Sequence, residues 1–283
     1  MNGGNLRMIS VFTYLDYREY LRDVFVEQKE LRRTFSHRAF ARMAGFSSSN
    51  YVLLVMQDKR NLSSEGIQKV ARGLKLKKRE AEFFENLVRF NQAKSDAEKN
   101  FYYGRIAANR KYAESRPLEK EQYEYYSRWY VPAIRELVLL DDFREDPKWI
   151  AERISPAITP REAKEALDLL LEMNLITRGE NGRIMQTHRH ISGGDEVASL
   201  AMKNFQREMI ELAAKSIERT PHKKREIGSL TFAISRERLA EAKKLMRDFR
   251  SKLAGFIAEG EKPEAIYQFN MQLFNLSKIE KEG

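Results

Sequence analysis

The sequence predicts a mainly α protein whose C-terminal part is an α+β unit with a small sheet, and three observations predict it. Seven prolines and fourteen glycines among 283 residues leave long unbroken stretches. Apolar residues recur there at helical spacing, as Tyr14, Tyr17, Leu21, Val24 and Phe25 do across 13–30, the first expected helix. Only near the C-terminus does the period fall to two, where Leu230, Phe232 and Ile234 alternate with Thr231, Ala233 and Ser235. Charged residues at 33% and apolar residues at 42% supply cores for more than one domain. The expected organisation is a helical domain at 1–94, a Tyr-rich helical link at 95–129, a third unit at 130–192, and a last at 193–283.

The sharpest pattern lies in 36–76. Ser36 is suited to cap a helix through His37, Arg38, Phe40, Ala41 and Ala44. Gly45, Phe46 and Ser47 then make a tight turn, because Gly45 is free to take positive φ at a helix end. Ser47 is expected to cap a second helix through Tyr51, Leu54 and Val55. A polar loop spans 58–62, and Ser63 or Ser64 caps a third helix ending near Leu74. Two short helices joined by a three-residue turn with Gly make a helix-turn-helix.

These residues resemble the Cro/repressor type of helix-turn-helix domain, through Ala41, Gly45, Ser47 and Tyr51 and through the basic loop Lys59, Arg60, Asn61 and Leu62. Two departures are visible: Asp58 stands where Gly is common, and the loop is one residue longer. The resemblance implies a second helix that enters the major groove of double-stranded DNA. Ser48, Ser49 and Asn50 would face base edges, with Ser47 at the head of that helix. Ser36, His37, Lys59 and Arg60 would touch the backbone. Lys77 and Lys78, in the run Lys75, Lys77, Lys78 and Arg79, would add phosphate contacts set by charge alone. Against this stands the second helix itself, apolar almost throughout after Asn50, whereas a groove reader needs donors and acceptors along one side. An architectural or self-associating role is the competing expectation.

Tyr102, Tyr103, Tyr112, Tyr123, Tyr125 and Tyr126 in the link are spaced to pack between domains, although aromatics also stack on single-stranded bases. In 130–192 the residues from Val131 to Leu140 suit a helix, and Trp149, Ile150 and Ile154 suit another. Thr159-Pro160-Arg161-Glu162 is a capping box with Pro at the first helical position, opening a helix that turns Ala163, Ala166, Leu167, Leu170 and Leu171 inward. A strand at 175–178, a type I′ turn at Asn181-Gly182 and a return strand at 183–187 follow. This order resembles a winged helix. Its exposed helix side carries Arg161, Lys164, Glu165, Asp168 and Glu172, which favours protein contact or dimerisation over DNA; Arg178, Arg183 and Arg189 on the wing leave DNA open.

In the last unit a helix is expected over about 195–218. Ser235 then caps a helix with the stripe Leu239, Ala242, Leu245, Met246, Phe249, Leu253 and Phe256. Strands expected at 226–235 and 265–276 flank it, the second carrying Tyr267, Phe269, Met271 and Leu273 on one face, and a parallel pair with a right-handed crossover follows. A two-stranded sheet is marginal alone, so another element or a second copy of the chain is expected to cover its edge.

The whole chain also resembles an uncharacterised bacterial family of paralogous regulator-like proteins, through Phe12-Thr13-Tyr14-Leu15-Asp16-Tyr17-Arg18-Glu19-Tyr20-Leu21, the stretch 47–60, and Gly228-Ser229-Leu230-Thr231-Phe232. That resemblance implies an N-terminal helix-turn-helix followed by a domain of unknown function.

Charge narrows the function. The net +10 divides into +8 for 1–94 (18 basic, 10 acidic), +1 for 95–129 (7 and 6), −2 for 130–192 (9 and 11) and +3 for 193–283 (17 and 14). The anion-binding surface is therefore expected in the first third. Zero cysteines exclude disulfides, Cys-ligated zinc and thiol catalysis, and fit a cytoplasmic location. The longest apolar run, 51–56, is far below the ~20 residues of a membrane span, and 1–8 lacks a signal-peptide core. No Gly-rich phosphate loop occurs. His188 and His190 share one side of an expected strand without a third ligand, and His37 and His222 are isolated. Catalytic residues, metal ligands and cofactors are all expected to be absent. The expected function is a DNA-binding transcriptional regulator, homodimeric through its later domains, that takes a protein or small-molecule signal and no membrane. The alternative is an interaction or scaffold protein that keeps these shapes without sequence readout.

Overall fold

The computed structural model describes residues 9–188, 196–259 and 262–277. It is mainly helical with one small antiparallel sheet. The chain divides into two compact units, 1–121 with 195–200 and 122–194 with 201–283.

The first unit contains α1 (Tyr17–Leu31), α2 (His37–Ala44), α3 (Tyr51–Met56), α4 (Ser64–Gly73), α5 (Lys78–Gln92), α6 (Asp96–Ala107) and α7 (Arg110–Ser115). α1 starts later than its pattern suggests, because the Asp16 carboxylate accepts from the Arg18 and Glu19 amides and sets the N-cap there. Tyr17, Tyr20 and Leu21 are fully buried, and the two rings lie 6.4 and 5.9 Å from Phe84 of α5. Tyr103 and Tyr112 are also fully buried, against Phe90 at 5.7 Å and Phe83 at 5.8 Å, so α6 and α7 belong to this bundle.

The end of α5 ties the bundle together through two amides. Asn91 accepts from the Tyr17 amide at 3.0 Å and donates to the Leu15 carbonyl at 3.0 Å. Gln92 accepts from the Leu62 amide at 2.8 Å and donates to the Leu62 carbonyl at 2.9 Å, holding the loop before α4 like a strand partner.

α8 (Pro117–Tyr126) leads into the second unit, where α9 (Tyr130–Leu137), α10 (Pro147–Arg153) and α11 (Pro160–Glu172) precede β1 (Ile176–Arg178) and β2 (Ile184–Gln186). This is the helix–helix–helix–hairpin order expected there, over a core of Val131, Ile134, Ile150, Ala163, Leu170 and Ile176. The capping box forms: the Thr159 hydroxyl accepts from the Glu162 amide at 3.2 Å, and the Glu162 carboxylate accepts from the Thr159 amide at 2.7 Å. The hairpin turn is not type I′. Only Gly182 has positive φ, at +75°. Gly182 N–H bonds Gly179 and Gly179 N–H bonds Arg183, each at 2.9 Å, which makes a three-residue loop closed by a left-handed Gly. Asn181 stays at negative φ because its side chain accepts from the Arg183 amide at 3.0 Å.

The remainder is α12 (Glu196–Arg219) and α13 (Arg236–Ala258). The Ser235 hydroxyl caps α13 as expected, accepting from the Arg238 amide at 3.4 Å. The flanking strands do not form. Among the described residues neither 226–235 nor 265–276 makes a ladder, and the one sheet is the β1–β2 hairpin. Their alternating apolar residues are left largely open: Leu230 is 81% exposed and Tyr267 73%. After Met209 no described residue is buried.

Candidate nucleic-acid interface

The site is built on α2, α3 and the loops around them. The Ser36 hydroxyl accepts from the Ala39 amide at 3.1 Å and starts α2. Gly45 ends it in the left-handed region at φ +81°, and the Phe46 amide closes back on the Ala41 carbonyl at 2.8 Å. Ser47 does not cap the next helix. Residues 47–50 form a further turn, the intrahelical ladder opens with the Leu54 amide on Asn50 at 3.0 Å, and Asn50 is the N-cap with no side-chain bond. Phe46 packs on Tyr51 at 5.1 Å, which anchors the turn ahead of the helix and delays its start. α3 is therefore only six residues long.

Its C-terminus is held by two arginines of α1. Arg18 donates to the Val55 carbonyl at 3.2 Å and to Asn61 at 2.7 Å; Arg22 donates to the Met56 carbonyl at 3.0 Å. Cations at this end complement the helix dipole. Asp58, standing where Gly is common, takes the left-handed conformation itself at φ +58°, one that Asp tolerates better than most residues. Its carboxylate pairs with Arg18 at 2.9 Å.

Of the expected contact residues, Ser36, Ser47, Ser48, Asn50, Lys59, Arg60, Lys77 and Lys78 are exposed, and Ser49 is half-buried. His37 is half-buried with its ring stacked on Phe25 at 4.8 Å. Burial, and then the Lys29 charge, hold its pKa below the usual imidazole value. The Tyr51 hydroxyl donates to the Asn61 carbonyl at 2.7 Å, so Asn50 and the Lys59–Arg60 loop are brought together. Lys77 and Lys78 are not brought to them. They open α5, and the residue that grips Leu62 is Gln92 at its other end, about 21 Å along a helix of this length. Along α3 itself Val52, Val55 and Met56 are buried, while Leu53 and Leu54 are half-exposed. Between Asn50 and Gln57 the Tyr51 hydroxyl is the one side-chain donor, and it is already bonded; the Met56 sulfur, a weak acceptor, is buried.

Sequence reasoning missed Lys69 and Arg72. With Lys75 they line a shallow cleft of about 410 Å³ beside Met43 and Gly45. Their spacing of three residues, carried past the end of α4, was the available signal. Lys69 pairs with Glu65 at 2.8 Å and lies over the Phe46 ring at 5.6 Å.

The cations around α2–α4 and those of α11 and the hairpin differ in their partners. Lys59, Arg60, Arg72, Lys75, Lys77 and Lys78 make no ion pair among the described residues. In the second unit Arg161 pairs with Glu165 at 2.8 Å and Lys164 with Asp168 at 2.7 Å. On the hairpin Arg178 pairs with Glu145, and Arg183 lies 4.0 Å from Asp141. Arg189 and His190 lie outside the described residues. Among the described residues no three His, Asp or Glu come together as metal ligands, and no helix is long and apolar enough to cross a membrane. The arrangement offers hydrogen-bonding side chains at a turn and uncompensated positive charge around it, which is the chemistry of polyanion contact.

No curated protein and no solved structure matches the chain. A family model described as a domain of unknown function, DUF4423, matches residues 109–276, from the N-cap of α7 to the end of the last apolar segment, and leaves α1–α6 outside. More than half of the sequence is covered, and the chain belongs to the DUF4423 family.

Proposed function

We propose that this protein is a transcriptional regulator that binds double-stranded DNA through its first unit, with a helix-turn-helix of the Cro/repressor type at α2–α3. The observation that supports it most directly is the set of exposed cations without ion pairs around that turn, against the cations of α11 and the hairpin, which are tied to carboxylates. Phosphate contact carries most of the affinity in this reading. Base contact falls to Ser48 and Asn50, which sit in the turn ahead of α3 and not along it. The second unit and the C-terminal region serve association and signal input.

The test is a titration of the full chain against duplex DNA at several salt concentrations. Replacing Lys59 and Arg60 by Ala should weaken all sequences alike and reduce the salt slope by about 2, roughly 1 per lost phosphate contact. Asn50→Ala should relax preference at one base position while leaving that slope in place. Unchanged affinity in both variants removes the assigned surface. The half-exposed Leu53 and Leu54 favour a second reading, in which α3 meets protein and the unit is a scaffold; it predicts no binding to DNA at low salt.

A further inference from the structure

We propose that the region 226–276 is a self-association surface, in which the apolar face of α13 and the two segments beside it are covered by the same elements of a second copy of this chain. This surface gives form to the association assigned above to the C-terminal region, and its formation does not require DNA. Twelve of the twenty large apolar residues that are exposed among the described residues fall between Ile227 and Leu276. α13 runs for 23 residues with a complete apolar stripe and buries none of them, although a helix in water draws most of its stability from packing such a face.

Together these side chains expose enough apolar surface for a stable interface. With about 100 Å² left open on each, twelve of them present on the order of 1,200 Å², above the ~800 Å² per partner that such an interface buries. The segment that follows α13 is also held in place. Phe269 packs on Phe249 of α13 at 5.9 Å, Asn270 donates to the Met209 carbonyl at 2.9 Å, and Ile266 packs on the core around Ile150 and Leu170.

A copy of the chain fits it better than an unrelated partner for two reasons. Each period-two segment lacks a strand neighbour and is itself a strand neighbour, so a two-fold pair satisfies both copies at once. The region also carries eight basic and seven acidic residues, so two copies meet without repulsion, unlike two copies of 1–94 at +8 each.

Light scattering on the full chain should give twice 33.2 kDa, about 66 kDa. Leu230→Asp combined with Phe256→Asp should lower it to about 33 kDa with the helical circular dichroism kept. Should the variant aggregate, amine cross-linking of mixed ¹⁴N- and ¹⁵N-labelled wild type decides: Lys243, Lys244 and Lys252 should join light to heavy copies, among themselves or to Lys262. A monomeric wild type at micromolar concentration overturns the proposal, as do a variant that stays dimeric and inter-copy cross-links confined to residues before 122.

Discussion

Arg18 shows how much of this site depends on single side chains. One buried guanidinium closes the C-terminus of α3, bonds Asn61 and pairs with Asp58, and so lets an aspartate occupy a left-handed position that usually needs Gly. The Ser36 cap and the Gly45 turn were legible in the sequence because both act within a few residues. The Arg18 clamp was not, because it joins positions about forty residues apart that no local pattern links. His37 was legible as a residue at a helix start, but not as a ring stacked on Phe25. Its folded pKa lies below the ordinary imidazole value of 6.5, so its contribution is complete above that value and is lost as pH falls toward the folded pKa. The first unit should therefore lose stability as pH falls below the ordinary imidazole value toward the folded one, and His37→Gln should flatten that part of the profile in thermal melts. An unchanged profile would mean that the ring takes its proton as easily in the fold as outside it.

Among the elements, the helices whose stop and start signals are local were read well. Thr159 and Glu162 form their box, and Asn174 ends α11 at positive φ. α3 was misread at its start because the packing of Phe46 on Tyr51 outranks the capping preference of Ser47. The hairpin turn was misread because the Asn181 side chain bonds the backbone instead of letting Asn181 take positive φ. The seating of α4 on α2 depends on Gly73, where an added Cβ would lie 2.8 Å from Ala44 Cβ and 3.0 Å from the Phe40 ring. Phe40 is fully buried and has no room to give. Gly73→Ala should cost about 1–2 kcal/mol, overpacking outweighing the gain in helix propensity, and urea midpoints for the first unit will show it. A variant as stable as the wild type would mean that α2 and α4 are not seated against each other in this way.

For the whole molecule, the proposed division of labour follows charge and exposed apolar surface more than motif. The +8 of the first third was legible from composition, and the structure adds which cations lack carboxylate partners. The C-terminal strands were legible as segments of period two but not as unpaired ones, because period reports what a backbone can do and not whether a neighbour is present. The DUF4423 match covers the second unit and the C-terminal region, so the account of DNA contact stands on α1–α5 alone. One comparison tests it most directly: the salt dependence of duplex affinity for the wild type, for Arg60→Ala/Arg72→Ala/Lys75→Ala in the first unit, and for Arg178→Ala/Arg183→Ala on the hairpin. The account predicts a steep wild-type slope, reduced by about 3 in the first variant and unchanged in the second. A slope that falls only with the hairpin arginines, or no salt-sensitive binding at all, would contradict it.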